Sequence, residues 1–217
     1  MSRYSAVIFD LDGTLLDTLA DLTDAVNYAL NLHGFPTRTL AEIRAFVGNG
    51  VANLISRAIP DGRSNPSFDQ CLADFRKYYS AHMECKTAAY EGIIDLLAYL
   101  AGHNYRTAIV SNKFDAAVKQ LSEQYFGSYI QVTIGESAGV TKKPAPDTVI
   151  KAMAELGATP EHTIYVGDSE VDVATAKNAG LPCVGVTWGF RDREVLQSLG
   201  TDYIINTPQE LLAIIED

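Results

Sequence analysis

Short apolar runs rich in β-branched residues recur along the chain, and helical patterns separate them. The runs are SAVIFD (5–10), YRTAIVS (105–111), HTIYVGD (162–168), PCVGVTW (182–188) and YIIN (203–206), with QVTIG (131–135) a weaker sixth. Near-continuous apolar strands are what a sheet covered on both faces requires. Between them GIIDLLAYLAG, FDAAVKQLSEQYFG, DTVIKAMAELG and EVDVATAKNAG carry helical periodicity and close on Gly, as helix C-termini commonly do. Strands alternating with helices predict an α/β fold: a doubly wound, Rossmann-like parallel sheet with helices on both faces.

One section breaks the alternation. From 16 to 83 the signals are helical only: Leu19, Leu22, Val26, Ala29 and Leu30 mark one apolar face, TLAE (39–42) reads as a capping box, and Phe68, Leu72, Phe75 and Tyr79 mark another face. An α-helical insert after the first strand is therefore expected over 16–83, with 1–15 and 84–217 forming the α/β core. ECKTAAYEG (84–92) reads as the return hinge and IPDGRSNPS (59–67) as a loop inside the insert. At 217 residues and 47% hydrophobic content, the chain can bury a core large enough for this plan.

The formal net charge of −10 repels nucleic acid and anionic membranes at long range, so neither is an expected partner, and an anionic substrate needs local cations. The Met-Ser-Arg-Tyr start lacks signal-peptide character, and no apolar run approaches the roughly 18 residues of a membrane span, so a cytoplasmic location is expected. Cys71, Cys85 and Cys183 are odd in number and widely spaced, which fits reduced thiols in a core rather than disulfides or a zinc site.

In an open α/β sheet ligands bind beyond the carboxyl ends of the strands. Four segments there, or near there, carry chemistry. In DLDGT (10–14), Asp10 and Asp12 are two apart and address the same space, and Gly13 permits an abrupt turn. Two unit charges about 4 Å apart repel by roughly 4 kcal/mol at an effective dielectric of about 20. Mg²⁺, which takes carboxylate, water and phosphate oxygens, would offset that repulsion. SNK (111–113) ends an apolar run with a hydroxyl, backbone N–H groups and a cation that could hold phosphate oxygens at the start of the next helix, or simply cap it. KKPAPD (142–147) offers a loop lysine able to neutralise a transferring phosphoryl group, with Lys142 and Lys143 equally placed by composition. GDSEVD (167–172) supplies Asp168 as a metal ligand and Asp172, one helical turn on, to share or orient the site or to serve the helix dipole. No His or Cys stands in any of the four, which disfavours zinc.

Taken together and in this order, DLDGT, Ser111 with Asn112, Lys143 before Pro144, and GDSEVD closely resemble the haloacid dehalogenase-like superfamily of phosphohydrolases over essentially the whole chain. DLDGTLLDT, IRAFVGNGV, KPAPD and GDSEVDVATAKNAG resemble most the phosphoglycolate phosphatase branch, and the helical insert matches that family's cap. The resemblance implies Asp10 as nucleophile forming an aspartyl-phosphate and Asp12 as general acid–base. It implies Mg²⁺ held by the Asp10 carboxylate, the Asp12 carbonyl and Asp168. Ser111, backbone groups at Leu11 and Asn112, and the Gly13–Thr14 turn would surround the phosphate, with Lys143 stabilising its charge and Asp172 supporting. VGNG (47–50) falls where the family's specificity loop would lie, making Arg44 and Asn49 candidates to read the rest of the substrate; as an interhelical turn it would need no such role.

The expected activity is thus Mg²⁺-dependent hydrolysis of a small phosphomonoester such as 2-phosphoglycolate, by a monomer or homodimer. A pyrophosphatase, a sugar-phosphate phosphatase or a phosphomutase of the same superfamily uses the same motifs. A response-regulator receiver shares acids, a hydroxyl and a lysine, but a candidate nucleophile on the first strand followed by a helical insert fits it badly. An inactive binding protein would not need the intact set. Asp17, close to the two acids in sequence, is expected to cap the helix that enters the insert.

Overall fold

A computed structural model describes residues 3–216. Its strands are β1 (Ala6–Phe9), β2 (Leu16–Asp17), β3 (Ala88–Ala89), β4 (Arg106–Phe114), β5 (Val132–Glu136), β6 (Thr163–Gly167), β7 (Cys183–Val186) and β8 (Tyr203–Ile205). Its helices are α1 (Leu19–Leu32), α2 (Leu40–Phe46), α3 (Val51–Ala58), α4 (Phe68–His82), α5 (Ile93–Gly102), α6 (Asp115–Phe126), α7 (Asp147–Leu156), α8 (Glu170–Ala179), α9 (Arg193–Ser198) and α10 (Glu210–Glu216). The chain divides into two compact units, one running to Leu16 and resuming at Ala89, the other Asp17–Ala88.

The first unit is built on a parallel six-stranded sheet in the order β5-β4-β1-β6-β7-β8. All four residues of β1 are buried, with Ile8 opposite Ala108 on one side and Tyr165 on the other. That burial on both faces explains why the run is apolar throughout instead of alternating. On one face Ile8, Val110, Ile134, Val149, Tyr165 and Val173 share one core cluster, drawing side chains from four strands and two helices. Fully burying an Ile or Val side chain contributes roughly 1.5–3 kcal/mol, so this layer holds the strands in register. The chain runs from β1 to β4 and β5 on one side and then crosses back to β6 on the other. Such a reversal opens a crevice beyond the carboxyl ends of β1, β4 and β6.

The second unit is helical, α1 to α4. Leu19, Leu22, Val26, Ala29 and Leu30 of α1 and Phe68, Leu72, Phe75 and Tyr79 of α4, the faces that the sequence periodicity marks, are buried. Thr39 and Glu42 form the expected capping box at α2. Segment 84–88, read from sequence as part of the return hinge, belongs to this unit. Asp21, buried at 3% exposure near the start of α1, accepts the Lys86 N–H at 3.0 Å and the Thr87 N–H at 2.9 Å and Oγ1–H at 2.8 Å. Tying α1 to residues 86–87 postpones the crossing to β3, which pairs with β2.

Three local expectations need correction. The run ending at Ser111 in the sequence continues as β4 to Phe114, so the SNK segment lies in strand and α6 starts only at Asp115. Cys71 and Cys183 are buried, but Cys85 lies exposed beyond the end of α4, outside either core. The formal cap of α1 is Thr18, which makes no side-chain cap bond; Asp17 Oδ1 instead accepts the Leu19 N–H at 3.1 Å from one residue further out. Among the described residues no helix is long and apolar enough to cross a membrane.

Candidate active site

Asp10 follows β1 directly, and its N–H remains in the sheet, donating to Val166 O at 2.9 Å. The backbone then folds around Leu11, whose carbonyl accepts the N–H groups of Thr14, Leu15 and Leu16. Gly13 sits at φ +89°, a left-handed conformation that favours glycine. Space dictates the same choice: a Cβ on Gly13 would stand 2.3 Å from Asp168 Oδ2. The turn thereby brings the first acidic segment against the fourth, with Gly13 and Asp168 155 positions apart in sequence.

Asp168 directly follows β6, and Ser169 caps α8 in a reciprocal box with Asp172. Asp172 satisfies both of its sequence readings at once. Its Oδ2 accepts the Ser169 N–H (3.2 Å) and Oγ–H (2.6 Å), while its Oδ1 accepts Lys143 Nζ (2.8 Å) and the Tyr165 hydroxyl (2.9 Å). A carboxylate offers about four lone-pair sites, so those of Asp172 are filled. Of the two candidate lysines it is Lys143 that turns inward, at 3% exposure, with Nζ 2.6 Å from Asp10 Oδ1 and 3.1 Å from the Tyr165 hydroxyl.

From β4, Ser111 is buried and its Oγ accepts the Lys113 N–H at 3.2 Å, while Asn112 Nδ2 donates to Lys143 O at 2.9 Å. Lys113 reaches Asp12 Oδ1 at 2.6 Å. Asp10, Asp12, Ser111, Asn112, Lys143, Asp168 and Asp172, spread over the sequence, are therefore linked into one set. Arg44 belongs to the last turn of α2, and Asn49, at φ +60°, to the segment between α2 and α3.

Sequence reasoning missed two contributors. Tyr165 lies inside the β6 apolar run, where nothing distinguishes it from a core aromatic. The other is the segment after β7: Phe190 N–H donates to Asp168 Oδ2 at 2.6 Å, and Trp188 Nε1 donates to Thr14 O at 3.0 Å. Arg191 adds a two-pronged pair with Glu170 at 2.7 and 3.0 Å. Gly189 lets this segment approach, since a Cβ there would lie 2.4 Å from both Asp168 Cβ and Gly13 O. The usable signal was WGF following an apolar strand, the same strand-end position that identified the other segments.

Electrostatics are set by burial. Asp10 is pushed up to about 7 by desolvation and then by Asp172, with Lys143 opposing. Asp168 is raised well above the usual carboxylate range by desolvation and by Asp172 and Asp10. Asp172 would also be raised by burial, but Lys143, with the Ser169 and Tyr165 hydrogen bonds, holds it below its ordinary value. With all four carboxylates ionised, as a bound cation would require, Asp10, Asp12, Asp168 and Asp172 against Lys113 and Lys143 leave two negative charges, the complement of one divalent cation. Asp10, Asp168 and Asp172 each bring an oxygen to within 4.8 Å of the others. An all-oxygen donor set of this kind suits a hard cation such as Mg²⁺. Of the five buried side-chain polar atoms without a hydrogen-bond partner among the described residues, Thr14 Oγ1 and Asn112 Oδ1 belong to these segments.

Residues 7–186 match the haloacid dehalogenase-like hydrolase family profile. A Pseudomonas putida phosphoglycolate phosphatase is 34% identical over 95% of this chain and 78% of its own length. A Chromobacterium violaceum phosphoglycolate phosphatase is 31% identical over 100% of this chain and 99% of its own. A crystal structure from Lactobacillus delbrueckii subsp. bulgaricus superposes with a TM-score of 0.94 at 35% identity, covering 99% of this chain and 100% of that one.

Proposed function

Because the chain belongs to the haloacid dehalogenase-like hydrolases, we propose that this phosphoric monoester hydrolase is a Mg²⁺-dependent phosphatase working through an aspartyl-phosphate, with 2-phosphoglycolate as its substrate. The observation that carries the chemistry is the meeting of Asp10 and Asp168, each directly after a strand, with Lys143 on Asp10 and Lys113 on Asp12. The substrate rests on the two phosphoglycolate phosphatases that match nearly the whole chain.

The residues fit Mg²⁺, with the Asp10 and Asp168 carboxylates and the Asp12 carbonyl as its protein ligands; Asp172, its acceptor sites filled, orients Lys143 instead. When bound, the cation supplies charge neutralisation for the phosphoryl group and for the acids around it. In the first step an Asp10 oxygen attacks phosphorus. The P–O ester bond breaks, and its electron pair leaves on the alkoxide, which takes a proton from Asp12. In the second step water attacks the same phosphorus and gives its proton to Asp12. The Asp10–phosphorus bond breaks, restoring the carboxylate and releasing inorganic phosphate. Ser111 and the N–H groups around Leu11 and Asn112 hold the phosphoryl oxygens, and Lys143 balances their charge. The helical unit acts as the cap, and Arg44 and Asn49 read the carboxylate end of the substrate. A cytoplasmic setting accords with the free thiols.

A substrate panel tests this reading. With Mg²⁺ present, kcat/KM for 2-phosphoglycolate should exceed that for pyrophosphate and for sugar phosphates, and chelation should remove turnover until Mg²⁺ is restored. Turnover undiminished by chelator would remove the metal from the scheme, and preference for a sugar phosphate would overturn the substrate.

Metal affinity should also follow pH. The folded chain holds a proton on Asp10 up to about pH 7, where the unfolded chain has lost it near 3.8. Through this group the metal-free fold loses stability as pH rises across that window. Mg²⁺ must displace the proton, so its apparent affinity should strengthen from pH 6 to pH 8 with proton release on binding. Titration calorimetry in two buffers of different ionisation heat measures both; pH-independent affinity would contradict it.

A further inference from the structure

We propose that Lys113 is a positioning residue for the acid–base step: it holds Asp12 by one oxygen and leaves the other for the substrate. The inference rests on Asp12 being the acid–base group. It assigns Lys113 to Asp12, where the sequence reading of SNK offered the same cation to phosphate oxygens.

The geometry is specific. Lys113 Nζ lies 2.6 Å from Asp12 Oδ1, with side-chain exposures of 3% for Lys113 and 17% for Asp12. An ammonium buried to that degree is retained when paired, and it constrains its partner in return. Two lysines thus divide two neighbouring acids between them: Lys143 holds Asp10 at 2.6 Å and Lys113 holds Asp12 at 2.6 Å. The strand is shaped to deliver this contact. Pairing of β4 with β5 shifts register between Val110 and Phe114, the stretch carrying Ser111 and Lys113. The Lys113 N–H is anchored on Ser111 Oγ at 3.2 Å. Such irregularities re-aim side chains at functional strand ends.

An Asp side chain without this tether rotates about two bonds, and its proton-bearing oxygen meets the leaving group in only some rotamers. With Oδ1 tethered, Oδ2 is the oxygen that gives a proton to the leaving alkoxide and later receives one from water. Lys113 touches neither reacting atom in this scheme. Its loss should therefore weigh most on the step in which the leaving group takes a proton.

Leaving-group dependence reads this out. The value of kcat/KM covers steps through loss of the leaving group, and p-nitrophenolate departs without needing a proton whereas an alkoxide does not. With Mg²⁺-loaded protein, Lys113→Met should lower kcat/KM for 2-phosphoglycolate by about 100-fold or more, the range of general acid catalysis. The loss for p-nitrophenyl phosphate should be smaller by at least about tenfold. In an Asp12→Ala background, the Lys113 substitution should add less than about twofold on the alkyl ester. Lys113→Gln, which keeps an N–H donor, should recover part of the alkyl-ester rate and serves equally if the Met variant fails to fold. Equal losses on both esters, or full additivity with Asp12→Ala, would overturn the proposal and make Lys113 a phosphate-binding or structural group. A failed phosphatase reading would look different, since the unsubstituted protein would then turn over neither ester.

Discussion

Asp10→Asn is expected to lower phosphomonoester turnover by about 10⁴-fold or more while leaving the fold intact. The size follows from removing the atom that makes the covalent bond; losses of that order or greater accompany removal of a nucleophile or its immediate partner. Preservation of the fold follows from the environment. Asp10 is 7% exposed and burial already pushes its carboxyl up to about 7, so a neutral amide of the same shape relieves a charge the interior resists. Lys143 loses one anionic partner but keeps Asp172 at 2.8 Å. Metal-free Asp10→Asn should therefore melt at or above the temperature of the parent protein, and its Mg²⁺ affinity should fall. Steady-state rates with 2-phosphoglycolate, a thermal melt and a Mg²⁺ titration cover the three statements. Activity within about tenfold of the parent would place the nucleophile elsewhere.

Lys143→Met should combine loss of activity with the largest loss of stability of any change in this site. Lys143 is buried, and its Nζ is shared by Asp10, Asp172 and the Tyr165 hydroxyl at 2.6, 2.8 and 3.1 Å. Removing the cation strands two buried carboxylates, and breaking a buried pair from one side typically costs about 3–5 kcal/mol. The pH dependence has a definite sign. In the parent protein Lys143 holds Asp172 below its ordinary 3.8, so that group stabilises the fold above pH 3.8 and loses its contribution as pH falls through the lower folded value. Without Lys143 burial dominates, the folded carboxyl rises above 3.8, and the sign reverses. The deficit should be small near pH 4 and grow toward pH 8. Denaturant unfolding of both proteins at the two pH values measures it, in metal-free buffer so that Mg²⁺ does not mask the missing charge. A deficit independent of pH would mean that lost packing, not lost charge pairing, causes it.

Several features of the site were legible because they are local. DLDGT and GDSEVD each place an acid immediately after an apolar strand, and strand-end position alone identified Asp10 and Asp168. The TLAE box at α2 is likewise a four-residue event, and it forms as read. Tyr165 was illegible for the opposite reason. Within HTIYVGD it has the pattern of a core aromatic, and only the fold shows its hydroxyl against Lys143 and Asp172. Gly189 was illegible too, because the need for a missing side chain appears only once Gly13 and Asp168 stand against it.

Lys142 and Lys143 mark the boundary. Alternation of apolar strands with helical segments is enough to determine a doubly wound parallel sheet, because strands buried on both faces must be apolar throughout. The same rule puts chemistry at their carboxyl ends, where the chain first meets solvent. Which adjacent lysine enters the site and which acid each cation holds depend on distances between residues more than 100 positions apart, and which carboxylate has its oxygens filled depends on contacts made between separate elements. Those distances come from sheet order and register, and tertiary packing alone decided them.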